Sequence, residues 1–447
     1  MGRLLFFPRT GMDKLRLDTQ TALAEDEAHI WHPFTPLKGG SPPLFVKGAE
    51  GIYLHTADGR RIIDATSSWW VNLHGHRHPL MQKALRKQLS DMEHVIFAGV
   101  THAPAICLAR ELLKCFPTGY EKVFFSDDGS TSVEVALKLA FQYGYNLAKP
   151  KNKVIALEGA YHGDTFGCMA VGARGLFNEP FQTHFFEVKY LPFPNPKNQK
   201  DVLGNLDHLL ATQDIAAFIY EPLVQGVSGM RMYDARFLAE ILYRVRAAGV
   251  LCLADEVFTG FSRTGHLWAS DAVEIKPDLI CLSKGLTGGV LPLGATICHQ
   301  RVVDAFREET LEKTFFHGHS YTGNPMACAA GCASLEILQK PETQTHIQEI
   351  AQEHQNFIHQ LKKQNLGIQN PRALGTILAF DLPNIPSRYG GKFQEQVHHF
   401  FLSRNILLRP LGNTLYIVPP YVIKKNQLWE IYEGLIAFLE SFSSKNL

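Results

Sequence analysis

Val250-Leu251-Cys252-Leu253-Ala254-Asp255-Glu256-Val257 and, further on, Leu279-Ile280-Cys281-Leu282-Ser283-Lys284-Gly285 decide how this chain is read. Each begins as a short apolar run and ends on a charged residue. Such a run, bounded by a polar stop, is the pattern of a strand buried on both faces. Asp255 and Lys284 then stand at the carboxyl ends of two strands of one sheet. Outward from them, similar runs recur at 122–125, 153–157 and 217–220, separated by amphipathic stretches such as 131–147 and 235–248. This alternation, from about 78 to 340, predicts an α/β fold with a mostly parallel sheet covered by helices.

The flanks read differently. Residues 51–64 form a hairpin pattern around Asp58-Gly59, preceded by a Pro-, Gly- and aromatic-rich stretch, 31–51, that reads as irregular. A long helical segment spans 325–364, strands follow at 376–381, 406–409 and 414–418, and a final amphipathic helix covers 425–442. The expected organisation is a large domain over 71–340 and a smaller α+β domain built from both chain ends, 1–70 and 341–447. Residues 1–30 read as a leader followed by a helix. The apolar run at 4–7 is too short for a secretory signal, and Met12 is an alternative start. No stretch approaches the ~20 apolar residues that span a bilayer, so a cytoplasmic location is expected.

Of 447 residues, 44 are Lys or Arg and 43 are Asp or Glu. That balance leaves no electrostatic footprint for nucleic acid or an anionic membrane. The eight cysteines are scattered without a Cys-x-x-Cys pair and read as reduced thiols rather than a metal set. His74, His76 and His78 would share one face if they lay on a strand, which is the metal-enzyme alternative; within His-Gly-His-Arg-His-Pro a loop is the other reading. No metal is expected.

A lysine at the end of an interior strand must be solvated, paired or chemically used. Alone, Lys284 could simply reach solvent. Asp255 at a neighbouring strand end changes the balance, because ligands of open α/β sheets bind at that edge. Pyridoxal chemistry needs both groups: an amine to bond the cofactor's aldehyde carbon, and a carboxylate to hold the pyridine nitrogen protonated. Two weaker signals lie at other strand ends. Asp127-Asp128-Gly129-Ser130-Thr131-Ser132 links a strand to a helix, as an anion cradle or an ordinary helix cap. Gly159-Ala160-Tyr161-His162-Gly163-Asp164-Thr165 offers Tyr161 as a ring cover or a turn filler.

These segments, with Gly260-Phe261-Ser262-Arg263-Thr264-Gly265, resemble the class III (ω-) aminotransferases of fold type I from about residue 28 to 421. Four more segments resemble the branch of that family that converts 8-amino-7-oxononanoate to 7,8-diaminononanoate in biotin biosynthesis. They are 30–35 (Ile-Trp-His-Pro-Phe-Thr), 67–76 (Ser-Ser-Trp-Trp-Val-Asn-Leu-His-Gly-His), 224–226 (Val-Gln-Gly) and 408–412 (Leu-Arg-Pro-Leu-Gly). The resemblance implies pyridoxal 5′-phosphate bonded to Lys284, Asp255 on the pyridine nitrogen, and Tyr161 and Val257 on the two ring faces. It implies phosphate contacts from Gly129 and Ser130, and Gly318 and Ser320 reaching the cofactor of a neighbouring subunit in a homodimer. Glu221 matches an acidic position near the cofactor. Phe34, Trp69, Trp70, Arg263 and Gly318 would shape the substrate slot, and Arg409 would pair with the acceptor carboxylate, a task suited to a guanidinium. From the residues alone, Trp69-Trp70 could be core packing and Arg409 a surface arginine.

Two positions depart from members that use S-adenosylmethionine as donor. Phe34 stands where those carry tyrosine, and Gly318-His319-Ser320 where they carry Gly-Pro-Thr; the latter is more similar to members that use lysine. The expected donor is S-adenosylmethionine, with lysine the rival. The alternative to the whole assignment is another class III ω-amino acid or diamine aminotransferase.

Overall fold

The computed structural model describes residues 17–443 except 40, 365, 388 and 389; the leader over 1–16 and the Met12 start lie outside them. The centre is a seven-stranded sheet. In chain order its strands are β1 (Tyr120–Ser126), β2 (Lys153–Leu157), β3 (Val188–Leu191), β4 (Ile215–Tyr220), β5 (Leu251–Asp255), β6 (Leu279–Leu282) and β7 (Gly294–His299). They lie in the order β1-β7-β6-β5-β4-β2-β3. All run parallel except β7, which is antiparallel to both neighbours.

Residue alternation along the strands fills two cores. Leu251 and Leu253 pack with Val133, Ala136 and Ala140 of the helix Gly129–Asn146. Cys252 and Ala254 pack on the other face with Leu238, Ile241 and Val245 of the helix Ala235–Ala247. Every residue of β4, β5 and β6 is buried, as apolar strands between two helical layers must be.

The chain ends pack together on a separate core. Val46–Glu50, Tyr53–Thr56 and Arg61–Asp64 form one small sheet, completed by Ile406–Leu407 parallel to Arg61–Asp64. Gln369–Leu374, Ile377–Asp381 and Thr414–Ile417 form another. Ile63, Phe357, Leu378, Phe401, Ile417 and Leu435 bind these sheets to the helices Pro341–Gln364, Lys392–Leu402 and Lys425–Ser443.

Some expectations need correction. The irregular stretch 31–51 contains the strand Val46–Glu50. The helical segment 325–364 is two helices, Pro325–Leu338 and Pro341–Gln364; a proline tolerates only the first turn of a helix, so Pro341 starts a new one. The strand expected at 406–409 stops at Leu407, which leaves Arg409 beyond it. His74, His76 and His78 lie in a loop, where the His74 ring bonds the Ser334 hydroxyl at 2.9 Å and His76 faces Asp64 at 3.7 Å. Among the described residues no group of three His, Cys, Asp or Glu side chains is arranged to hold a metal. No described helix is long and apolar enough to cross a membrane, and all eight cysteines are free.

Candidate active site

Because β1, β2, β4, β5 and β6 are parallel, their carboxyl ends meet along one edge, with the first residues of β7. Asp255 ends β5, Lys284 follows β6, Glu221 follows β4, Gly129 and Ser130 follow β1, and Tyr161 and His162 follow β2. All of them line one cavity of about 440 Å³, with Val257, Trp70 and Phe258.

The Lys284 amine lies 4.6 Å from the centre of the Trp70 ring and 5.6 Å from that of Phe258. No described residue forms an ion pair with it. The side chain keeps some accessible area because it faces the cavity, yet protein surrounds the amine. Burial therefore pushes its pKa down to about 8, against the opposing pull of Asp255 and Glu221. Lys284 also has φ +45°, a conformation that L residues avoid and that functional sites retain.

Asp255 and Glu256 point opposite ways, as neighbours at a strand end do. Glu256 turns into the core, where it accepts hydrogen bonds from Thr259, Ser270 and the amides of Ala269 and Ser270. Asp255 faces the cavity, with Oδ2 2.6 Å from His162 Nδ1 and Oδ1 accepting from the Val257 amide at 3.0 Å. His162 is fully enclosed and was not singled out from the sequence, although it sits between Tyr161 and Gly163; only its place behind Asp255 reveals it. Phe258, next to Val257, was missed in the same way. The Glu221 carboxylate accepts from the amides of Tyr161 (3.1 Å) and Gly226 (2.8 Å). Burial pushes its pKa up to about 7.

Trp70 belongs to a single turn, Ser67–Trp70, whose φ angles are +50°, +47°, +64° and +75°. Four successive L residues in the left-handed region cost about 1–2 kcal/mol each, so surrounding contacts must hold them. Arg263, 1% exposed, does part of this: its guanidinium donates to the carbonyls of Trp70 (3.2 Å) and Pro419 (2.9 Å). Arg263 thus stands behind the slot rather than in it. Trp69 is half exposed, outside the cavity, with its ring edge-on to Phe34 at 5.5 Å. Arg409, Gly318 and Ser320 are exposed and also lie outside it. Tyr161, Gly163 and Val227 also line a second cavity of about 440 Å³, with Arg231, Arg372, Leu411 and Asn413.

Residues 36–439 match the model of the class III aminotransferases. The chain belongs to that family. The aminotransferase is 46% identical to the adenosylmethionine-8-amino-7-oxononanoate aminotransferase of Synechococcus elongatus, over 92% of this chain and 98% of the relative. A relative of the same name from Aquifex aeolicus is 36% identical, over 94% and 97%. Among solved structures, the adenosylmethionine-8-amino-7-oxononanoate aminotransferase of Methanocaldococcus jannaschii superposes with a TM-score of 0.89 at 32% identity, covering 95% of this chain and 99% of that one. An amine transaminase from an uncultivated Pseudomonas species, in its PLP-bound form, superposes at 0.86 with 27% identity, over 92% and 98%.

The aminotransferase is a pyridoxal-phosphate enzyme of fold type I, and the residues present fit that cofactor. The amides of Gly129 and Ser130, in the first helical turn, have no intrahelical acceptor and line the cavity. The loops around them close only on glycine: a Cβ on Gly129 would sit 2.7 Å from Val257 Cγ1, and one on Gly163 2.1 Å from Ser130 Oγ. An amine with a depressed pKa and a buried carboxylate complete the donor set. In cofactor-free protein, labelling of Lys284 by an acylating reagent, followed by peptide mass spectrometry, is expected to rise with a midpoint near pH 8. The neutral amine is the reactive form, and it predominates above that pH; a midpoint near the ordinary lysine value would show a wet, unshielded amine.

Proposed function

We propose that the enzyme aminates 8-amino-7-oxononanoate to 7,8-diaminononanoate, a step of biotin biosynthesis, with S-adenosylmethionine as donor. The observation that carries this is the full-length similarity, at 46% identity, to a relative named for that acceptor and donor. The wall of Trp70 and Phe258 beside Lys284 suits a long apolar acceptor. Lysine is the second reading of the donor, favoured by Phe34 and by Gly318-His319-Ser320.

Pyridoxal phosphate, when bound, supplies an electron-accepting ring that makes the carbon bearing an amine acidic. Lys284 Nζ would hold the cofactor through its aldehyde carbon and, as a free amine, would move the proton of the carbon that bears the substrate amine. Its depressed pKa of about 8 gives it a far larger neutral fraction near physiological pH than an ordinary lysine has, and only that fraction can take the proton. Asp255, held in place by His162 and the Val257 amide, would present its carboxylate to the ring nitrogen. Tyr161 and Val257 would hold the ring, and Glu221 holds the Tyr161 loop by its backbone. Gly129 and Ser130 would hold the phosphate, and the Trp70–Phe258 wall shields Nζ from water. Arg409 takes the acceptor carboxylate, and Phe34 and Trp69 meet the substrate at the mouth.

The active form is a homodimer in which Gly318 and Ser320 of one copy complete the phosphate site of the other. The exposure of Phe316 (70%) and Tyr321 (60%), on either side of these residues, supports an interface there. Because one site serves both substrates in turn, each half-reaction can be followed alone. S-adenosylmethionine without acceptor is expected to bleach the yellow holoenzyme, and 8-amino-7-oxononanoate to restore the colour. Bleaching by lysine alone would assign lysine as donor. Failure of 8-amino-7-oxononanoate to restore colour would move the enzyme to another class III acceptor.

A further inference from the structure

Asp64 is fully buried at the end of the strand Arg61–Asp64, three residues before the left-handed turn. Its Oδ2 accepts from the Ser68 hydroxyl at 2.6 Å and faces His76 Nε2 at 3.7 Å; its Oδ1 accepts from the Thr66 amide at 3.2 Å and the Thr66 hydroxyl at 3.4 Å. Burial alone would raise its pKa, but the nearby His76 imidazole and the bond from Ser68 outweigh that and hold it below the ordinary carboxylate value. Besides the Arg263 guanidinium at the Trp70 carbonyl, two side-chain supports of the turn come from the far end of the chain. The Ser67 hydroxyl donates to the Val418 carbonyl at 2.7 Å, and Trp70 Nε1 donates to the Tyr416 hydroxyl at 3.3 Å. Among the described residues, only Asp64 bonds the Ser68 side chain, and the φ of Ser68 is the smallest of the four.

We propose that Asp64 is a positioning residue of the active site, a buried carboxylate that holds Ser67–Trp70 in its left-handed turn and so keeps the Trp70 ring against Lys284. It touches neither substrate nor cofactor. It acts through Ser68 and the backbone. With the carboxylate weakened, residues 68 and 69 relax toward negative φ, Trp70 turns away, and water reaches the lysine amine.

Glycine adopts positive φ freely, which gives the idea a rescue test. In the holoenzyme, Asp64→Asn is expected to lower the single-turnover rate of bleaching by whichever donor works on the native protein. The expected loss is on the order of tenfold to hundredfold, the scale at which a misplaced group degrades an active site. Adding Ser68→Gly, which needs no clamp to stay left-handed, is expected to recover most of that loss. The near-ultraviolet circular dichroism of the tryptophans in cofactor-free protein should change in Asp64→Asn and return in the double variant. That readout rests only on the turn and not on the choice of donor or acceptor. An Asp64→Asn enzyme with native rate and spectrum would overturn the proposal, as would a folded variant whose loss Ser68→Gly does not recover. Should Asp64→Asn not fold, Ser68→Ala and Ser68→Gly decide. Both lose the hydroxyl, but only alanine retains the strain, so alanine must be the slower enzyme; equal rates would refute the role of Asp64.

Discussion

Lys284→Ala is expected to lower single-turnover amine transfer by on the order of 10⁴-fold, the upper range for losing a positioned proton-transfer group. The fold should survive the change. The amine sits against the rings of Trp70 and Phe258 without an ion-pair partner among the described residues, so no opposite charge is left stranded in the interior. The backbone at 284 is left-handed with either residue, and the strain is therefore the same. Thermal unfolding of the cofactor-free variant should match or exceed that of the native protein, since a group disfavoured by burial has gone. Transfer at more than about a hundredth of the native rate would remove Lys284 from the proton path.

The second large effect is expected from Asp255→Asn. Asparagine keeps the volume and can still accept from the Val257 amide, but it places an uncharged group against His162 Nδ1 and the cavity. Loss of a preorganised charge of this kind costs on the order of 10²–10³-fold in rate. The lost acceptor in a buried pair should lower stability by roughly 1–3 kcal/mol. The two consequences are separable: rates measured at saturating cofactor isolate the electrostatic loss, and denaturant unfolding of cofactor-free protein isolates the structural one. A rate within tenfold of native would leave Asp255 with a structural role only.

Much of the site was legible because its residues end strands. An apolar run stopping at Asp255 or Lys284 announces both the strand and the exposure of its last side chain at the sheet edge. The large parallel sheet followed from the same runs. β7 was missed because only one short 3₁₀ turn, Lys284–Thr287, separates it from β6 and it doubles back antiparallel, so no strand–helix alternation marks it. β3 was missed because Val188–Leu191 is only partly buried and its apolar pattern is faint. His162 was invisible for another reason: nothing in Tyr-His-Gly says which strand end the imidazole will face. The same holds for Arg263. The sequence shows a charged residue in a glycine-rich loop, whereas the folded chain shows a guanidinium enclosed and bonded to two carbonyls, contacts that no local pattern encodes. The left-handed run at Ser67–Trp70 lies furthest from sequence reasoning, since serine and tryptophan carry no preference for it; distant bonds impose it.

Those distant bonds set an order of assembly. The wall beside Lys284 is pinned by Tyr416 and Val418 directly and by Pro419 through Arg263, and the strand leading to it pairs with Ile406–Leu407. During synthesis, therefore, every strand of the large sheet emerges well before the Trp70 wall can be locked. A nascent chain ending near residue 400 would display its reactive lysine in an open, hydrated groove, with the amine protonated and idle.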